Sequence, residues 1–596
     1  MEDQHKSISI LVEYYRESID RIKKHLESKY CAKPITKDDD DFPSISNSDN
    51  FIFFKLKVDD TELPLALILA IPIHFPDSLP RIYLTKEDYS KLVPIPHVDK
   101  NRFVCTRDPN TAHINEKKQE EAVDQFIGDA VDIIMKGARK ENVSDFNEEF
   151  LAYWNEQTET KYLSLWVPST VIELVKIIKI ASKLPSYNYI VSHDIEGAKN
   201  WVTPLKMQID ENNTYDAIHL PLFEPMSIPL PQNNYDVYQI INKAGNDSCA
   251  TLEKYLNEDK SHRIVFVSFQ LAADRILVGW IFEGWNKQIY KGFRPEKLPL
   301  KIRMQRTALV PIQKIHIERA DRERIFNRGG LGIKKLSVNG SVAIIGCGSL
   351  GSHLAYSLSK SGILDFLLFD KEKLEPANVA RHICGFNESV RESPKSQAVK
   401  DLLLAHFPDI KCQAIQGDIL NLLEKEETVL NKYSYIIVAV GDKAVERRLN
   451  YLLLKGKITS PLIFIWLEPF GVAGQFLFIH PKGRGCFQCC FDAHGIFRFS
   501  VAKPDPRYLK RESGCQSTFM PYSNLEVDHF INLVTRRILR CFDEKPEYNF
   551  LMTWVGDLTR FKNIGYKIND EWIANFDYSA YEKLILRNED CDACEK

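Results

Sequence analysis

The feature that most constrains this chain is a glycine-rich turn, Gly346-Cys347-Gly348-Ser349-Leu350-Gly351, set between a strand-like run "SVAIIG" and a helical run "GSHLAYSLSKSG". Glycines at that spacing let the backbone approach a phosphate, and the helix that follows offers unpaired N–H groups to an anion. The alternation continues with "DFLLFD" as strand, "KSQAVKDLLLAHF" as helix and "YSYIIVAVG" as strand. Strands joined by helical crossovers run parallel, so residues 316–596 predict a doubly wound, Rossmann-like α/β sheet. Asp370 closes the second strand nineteen residues after Gly351, in place for a ribose hydroxyl. Alone, this turn would suit a nicotinamide dinucleotide.

Its surroundings point elsewhere. "FDKEKLEPANVARH" sets Asn378 and Arg381 just past Asp370, "ESPKSQ" adds Lys395, and "VAVGD" puts Asp442 at the carboxyl end of a strand, where ligands of such sheets bind. A dehydrogenase has no use for this cluster of cations with a second acid. A carboxylate attacking the α-phosphate of ATP does. Charge builds on the phosphoryl oxygens, the leaving pyrophosphate must be neutralised, and Mg²⁺ needs a carboxylate.

With 596 residues the chain exceeds one hydrophobic core and predicts several domains. A net charge of −3 lacks the basic surplus of a nucleic-acid or membrane-surface binder, so neither partner is expected. The apolar run "LPLALILAIPIHFP" is too short to cross a bilayer and carries internal prolines. Thirteen cysteines behind the polar start "MEDQHKSISI" fit a reducing, cytoplasmic setting, where thiols bind metal, react or fill cores. Residues 1–160 read as a long amphipathic helix, antiparallel strands, a cysteine-bearing loop and further helices, an α+β unit. Residues 161–315 show paired strands such as "RIVFVSFQLAADRILVGWIF" and no motif, and are expected to be a mixed linker or docking domain. Arg322 and Arg391 read as surface charges, and Cys347 and Cys541 as packing residues.

The chain closes on "CDACEK", whose Cys591 and Cys594 match the spacing of Cys486 and Cys489 in "GRGCFQCCFD". Two C-x-x-C knuckles are the pattern of a tetrahedral structural zinc site that would pin the tail. Cys490 adjoins the first knuckle and is left open as a substitute ligand.

In order, "RIFNR", "GCGSLG", "FDKEKLEPANVAR", "PK" and "GD" resemble the adenylating domain of ubiquitin-activating enzymes and their bacterial relatives ThiF and MoeB, over about residues 324–594. The resemblance implies Asp370 as ribose ligand, phosphate roles for Asn378, Arg381 and Lys395, and Asp442 as the magnesium carboxylate. It also implies that Arg328 reaches the ATP of a second subunit, hence a homodimer, and that Cys515 in "RESGCQSTFMP" is the first acyl acceptor. A thiol suits that role, because a thioester keeps the acyl group activated after AMP leaves, and Arg511 would favour the thiolate. "IPIHFPDSLPRIYLT" followed by "PHVDKNRFVCT" resembles ubiquitin-conjugating enzymes, with Cys105 as the active thiol. The usual His-Pro-Asn is absent. Asn101 is the candidate oxyanion donor, and His97 reads as structural rather than catalytic.

An activating and a conjugating domain on one chain resemble the bacterial fusion proteins of antiphage CBASS islands. That resemblance implies a cGAS-like nucleotidyltransferase as partner, joined through its C-terminal glycine to a target amine by way of Cys515 and Cys105. Three alternatives remain: a separate ubiquitin-like modifier, a sulfur-carrier activator, and a non-catalytic nucleotide-binding scaffold.

Overall fold

A computed structural model describes residues 2–45, 47–59, 64–93, 95–107, 113–142, 145–155, 158, 160–181, 187–226, 230–258, 262–271, 274–282, 298–308, 310–327, 340–426, 428–511, 518–573, 577–588, 591 and 593–594. Internal contacts divide the chain into two units, Met1–Asp194 with Asp210–Asp321, and Ile195–Ile209 with Arg322–Lys596. Among the described residues no helix is long and apolar enough to cross a membrane.

The first unit opens with α1 (Glu2–Tyr30), β1 (Lys33–Ile35), β2 (Phe51–Val58), β3 (Leu65–Pro72), β4 (Arg81–Leu84), α2 (Lys86–Leu92), β5 (Phe103–Val104), α3 (Gln119–Ala138) and α4 (Asp145–Asn155). The strands form one antiparallel sheet in the order β1-β2-β3-β4-β5. Side chains alternate across the pleat. Phe54, Leu56, Leu67 and Leu69 pack with Ile22 and Leu26 of α1 and Val123 and Ile127 of α3. Phe53, Ile68, Ala70 and Tyr83 form a smaller cluster. α1 is tied down by Asp124 of α3, which accepts from His25 at 2.8 Å, Lys29 at 2.7 Å and Tyr30 at 2.9 Å.

There follow β6 (Lys161–Ser164), β7 (Glu173–Ile180), β8 (Tyr189–Ser192), α5 (Ile195–Val202), which belongs to the second unit, and then β9 (Ile209–Pro221), α6 (Asn234–Lys243), α7 (Asn246–Asn257), β10 (Ile264–Leu271), β11 (Asp274–Ile281), α8 (Leu300–Arg306) and β12 (Gln313–Arg319). The strands close a barrel in the order β10-β11-β12-β6-β8-β7-β9. The hairpin β10–β11 is the strand pair read from the sequence, while the barrel closes through distant parallel pairings of β12 with β6 and β10 with β9.

The second unit contains α9 (Arg322–Asn327), β13 (Ser341–Ile345), α10 (Ser349–Lys360), β14 (Asp365–Asp370), α11 (Phe386–Ser389), α12 (Lys395–His406), β15 (Lys411–Gln416), α13 (Ile419–Lys425), β16 (Tyr435–Val438), α14 (Lys443–Leu454), β17 (Leu462–Leu467), β18 (Ala473–Ile479), β19 (Lys510–Arg511), β20 (Thr518–Phe519), α15 (Asn524–Glu544), β21 (Phe550–Val555), α16 (Leu558–Asn563) and β22 (Ala580–Leu584). Its eight-stranded sheet runs β15-β14-β13-β16-β17-β18-β21-β22. The first five strands are parallel, and all but the edge strand β15 are buried on both faces, as helical crossovers require. The last three are antiparallel; the short turn between β17 and β18 leaves no room for a crossover there. The sheet is therefore mixed, with its parallel half carrying the glycine turn.

Candidate functional site

The glycine turn follows β13, and its three glycines do different work. Gly346 has a left-handed φ of 95°, and a Cβ there would lie 2.7 Å from Ala439 O. At Gly351 a Cβ would lie 1.8 Å from Gly346 O, so this glycine lets α10 pack on its own loop. Gly348 caps α10 with an ordinary φ of −75°, and a Cβ there would meet nothing within 4 Å. No protein contact demands glycine at 348. The space it leaves lies in a pocket also lined by Gly346, Asp370, Glu372, Lys395 and Asp442.

Asp370 stiffens that pocket, accepting from Cys347 N at 2.7 Å and Glu372 N at 2.8 Å, while burial raises its carboxyl above the usual range. His382 holds the same turn from behind. Cys384 N donates to its Nδ1 at 3.0 Å, so Nε2 carries the hydrogen and donates to Cys347 O at 2.8 Å. Burial pulls this imidazole down to about 4, which keeps it neutral. Cys347 is fully buried, as a packing residue would be. Lys395 is 6% exposed and lies 2.6 Å from Glu372, whose carboxyl it holds below the usual range. Glu372 was not expected from the sequence. Asp442 caps α14, accepting from Ala444 N at 2.9 Å and Val445 N at 3.4 Å.

Asn378 and Arg381 are not among the described residues of the pocket wall. Asn378 closes its own turn by accepting from Glu375 N at 3.1 Å. Arg381 lies over the Tyr522 ring at 5.4 Å. Arg328 and Cys515 fall outside the described residues. Arg322, read as a surface charge, forms an exposed ion pair with Asp409.

The segments flanking Cys515 are described, and one turn holds both. Glu468, after β17, is buried. Its carboxylate accepts from Gln475 Nε2 at 2.6 Å, Ser500 Oγ at 2.8 Å, Val501 N at 2.9 Å and Ala502 N at 2.8 Å. Two residues on, Phe470 N donates to Pro521 O at 2.9 Å. A glutamate in an apolar stretch gave no sequence signal of this role.

In the amino-terminal sheet, Cys105 is exposed and follows β5. Val98 bridges Val104, and Cys105 N donates to His97 O at 2.8 Å, which sets His97 directly across the hairpin from the thiol residue. On the other side the pair Ile82↔Val104, continued by one residue, sets Arg81 opposite Cys105. The expectation for Asn101 fails on register. It sits at the hairpin tip, in the turn where Asp99 Oδ1 accepts from Asn101 N and Phe103 N, both at 2.8 Å. Arg102 and the two residues of β5 separate it from the thiol residue, whereas His97 pairs with that residue directly.

The four tail and knuckle cysteines meet. Sγ of Cys486, Cys489, Cys591 and Cys594 all lie within 4.8 Å of one another, with Cys486–Cys489 at 3.8 Å, Cys486–Cys591 at 3.7 Å and Cys489–Cys594 at 3.2 Å. Bonds of about 2.3 Å to a tetrahedral zinc require S···S edges of about 3.8 Å, so this donor set fits that ion. Thiol hydrogen bonds, first from Cys486, pull Cys489 down, while donating to Cys489 pushes Cys486 up. One thiolate is thus favoured and further ionisation opposed, a balance that a dication would reverse. Cys490, left open as a ligand, is buried outside this group.

The prokaryotic E2 family B matches residues 40–163, the sheet that carries Cys105, and the ThiF family matches residues 322–557, the sheet that carries the glycine turn. The chain is a fusion of an E2-like and a ThiF-type module. It is an activating and conjugating enzyme that works by ubiquitin-like activation chemistry. The "ATP-dependent ubiquitin transferase-like protein Cap2" of Escherichia coli (strain TW11681) is 21% identical over 531 residues, 82% of this chain and 85% of that protein. "Ubiquitin-like modifier-activating enzyme 5" of Caenorhabditis elegans is 26% identical over 224 residues, 35% of this chain and 48% of that one. A crystal structure of Escherichia coli MccB with AMPCPP and MccA aligns over 43% of this chain and 67% of that one, at 17% identity and a TM-score of 0.32.

Proposed function

We propose that the chain joins the C-terminal carboxylate of a partner protein to ATP and delivers the acyl group to an amine through two thioesters. The observation that carries this reading is Lys395, a cation 6% exposed in the wall of the glycine-turn pocket, in a 2.6 Å ion pair with Glu372. Glu372 neutralises this ammonium from the exposed side of the pair, and a polyphosphate entering the pocket would offer it a second anion. The partner carboxylate attacks the α-phosphate, a carboxyl-O–P bond forms and pyrophosphate leaves. N–H groups at the start of α10 hold the phosphates, Lys395 offsets the charge that builds on them, and Asp370 takes the ribose. Asp442 would hold Mg²⁺, which supplies further neutralisation of the phosphates when bound. Cys486, Cys489, Cys591 and Cys594 would hold Zn²⁺ as a structural clasp. Asn378 and Arg381 would turn toward the phosphates on binding, and Arg328 would complete the nucleotide site of a second copy.

Cys515 then displaces AMP, and Cys105 takes the acyl group by thiol exchange, which conserves the thioester without a second ATP. An amine on the target displaces Cys105. The partner that fits the fusion architecture is a cGAS-like nucleotidyltransferase ending in glycine, primed in this way for antiphage CBASS signalling in the cytoplasm. Similarity to a protein named as a ubiquitin transferase-like enzyme over 82% of the chain supports this choice over a sulfur-carrier activator, which has no use for a Cys105 module.

Electrophoresis with and without reductant tests the order of the thiols, using ATP and a cGAS-like nucleotidyltransferase that ends in glycine. Cys515→Ala should abolish both thioesters. Cys105→Ala should accumulate a reductant-sensitive adduct on Cys515 and form no amide conjugate. Reductant-resistant conjugates at the wild-type rate in Cys105→Ala would remove the conjugating role.

A further inference from the structure

Cys105 shares its hairpin with a histidine whose setting asks for an explanation. His97 accepts the Cys105 N–H at its carbonyl, 2.8 Å away, so backbone geometry alone keeps the two residues side by side. It does so in the left-handed region, with a φ of 63°. That conformation is strained for a residue other than glycine and persists where the surroundings enforce it, often at a functional site. Its imidazole is part-buried, and Nε2 lies 3.4 Å from Oδ2 of Asp145, the first residue of α4. A carboxylate at Nε2 favours the tautomer protonated there and leaves the ring's lone pair on Nδ1. A thiol, an imidazole and a carboxylate that orients it are thus grouped at one end of the sheet.

We propose that His97, oriented by Asp145, is a catalytic residue of the conjugating module that accepts the proton of the amine attacking the Cys105 thioester. The proposal rests on the reading of Cys105 as acyl carrier. The amine nitrogen adds to the thioester carbonyl, the C–N bond forms, and the C–S bond breaks as the Cys105 thiolate leaves. His97 Nδ1 takes the proton that nitrogen must lose, and the thiolate regains a proton from the imidazolium. Amide and free thiol are the only products, and no further reactant is needed.

The probe is an acetyl-Gly-Gly thioester of mercaptoethanesulfonate, which acylates a thiol by exchange without ATP or a partner. Full-length protein carrying Cys515→Ala is loaded on Cys105, freed of excess probe and mixed with lysine, and the acyl-lysine is followed by mass spectrometry. In His97→Asn, where asparagine tolerates a left-handed φ and keeps a donor but has no base, loading should match the parent and discharge should fall about 100-fold. In His97→Gly, discharge should fall similarly and recover when imidazole is added. A His97→Asn protein that discharges at the parent rate, or a His97→Gly protein that imidazole does not rescue, would overturn the proposal and leave the conjugating reading intact. A parent that takes the acyl group but never yields acyl-lysine would overturn both. Equal melting temperatures across the set separate the expected loss from misfolding.

Discussion

Gly348 and Gly351 stand three residues apart in one turn, and the structure assigns them opposite sensitivities to a single methyl group. At Gly351 the added Cβ would be 1.8 Å from Gly346 O and 3.3 Å from Ile344 Cγ2. The first neighbour is backbone and cannot swing aside, so Gly351→Ala should cost about 3 kcal/mol, the upper end for overpacking. That corresponds to a loss of about 6–12 °C in the Tm of a unit this size. At Gly348 the Cβ meets nothing within 4 Å and φ is ordinary. Replacing this helix-capping glycine should cost no more than about 1 kcal/mol. The methyl would nevertheless fill the space over the first N–H groups of α10, where a phosphate would rest. Losing one charge-assisted hydrogen bond costs about 1.5–3 kcal/mol, or roughly 10- to 150-fold in Kd. Calorimetric titration with ATP and Mg²⁺, beside thermal denaturation, reads both quantities on the same samples. Gly351→Ala should lose stability, whereas Gly348→Ala should keep its Tm and lose ATP. If Gly348→Ala bound ATP within twofold of wild type, the open space would not be a phosphate seat, and the adenylation reading would lose its geometric basis.

Freshly purified protein should carry about one zinc per chain, and Cys591→Ser should both release it and lower the Tm of the C-terminal unit; metal analysis finding none would remove the site. Asp442→Asn keeps a good helix cap while deleting a charge, so ATP–pyrophosphate exchange should fall about 100-fold with little change in stability, and an unchanged rate would exclude a metal-binding role. Glu468→Gln turns an amide toward four donors that now share a carboxylate, so thioester capture on Cys515 should drop at least roughly tenfold while exchange persists. Equal loss of both would mean that the clasp supports the whole unit rather than the loop.

What was legible in the sequence was local. The glycine turn and the two cysteine pairs each lie within six residues, where spacing alone constrains chemistry. The cysteine pairs came together across 105 residues only because each half was already recognisable. Relations between unlike residues far apart left no such trace. Lys395 is 23 residues from Glu372, and Glu468 is 33 from Val501, and nothing in either stretch names its partner. The barrel was opaque for the same reason, since β12 pairs with β6 across some 150 residues of chain.

Asn101 and His97 show how one register decides between candidates. Asparagine is the residue type that steadies an oxyanion, which makes Asn101 a candidate, and both residues lie within eight positions of Cys105. The deciding fact is where the hairpin turns, and that is fixed by Asp99 gathering two backbone N–H groups and by Arg102 adopting a φ of 70°. Arg102 is held there because its guanidinium donates to Leu84 O at 3.1 Å and to Asp41 O and Phe42 O, both at 3.0 Å. A distant acidic turn therefore sets the register that sends Asn101 to the tip and brings His97 across from the thiol. Moving the turn by one residue would put a different side chain opposite Cys105, so Arg102 decides which residue faces that thiol.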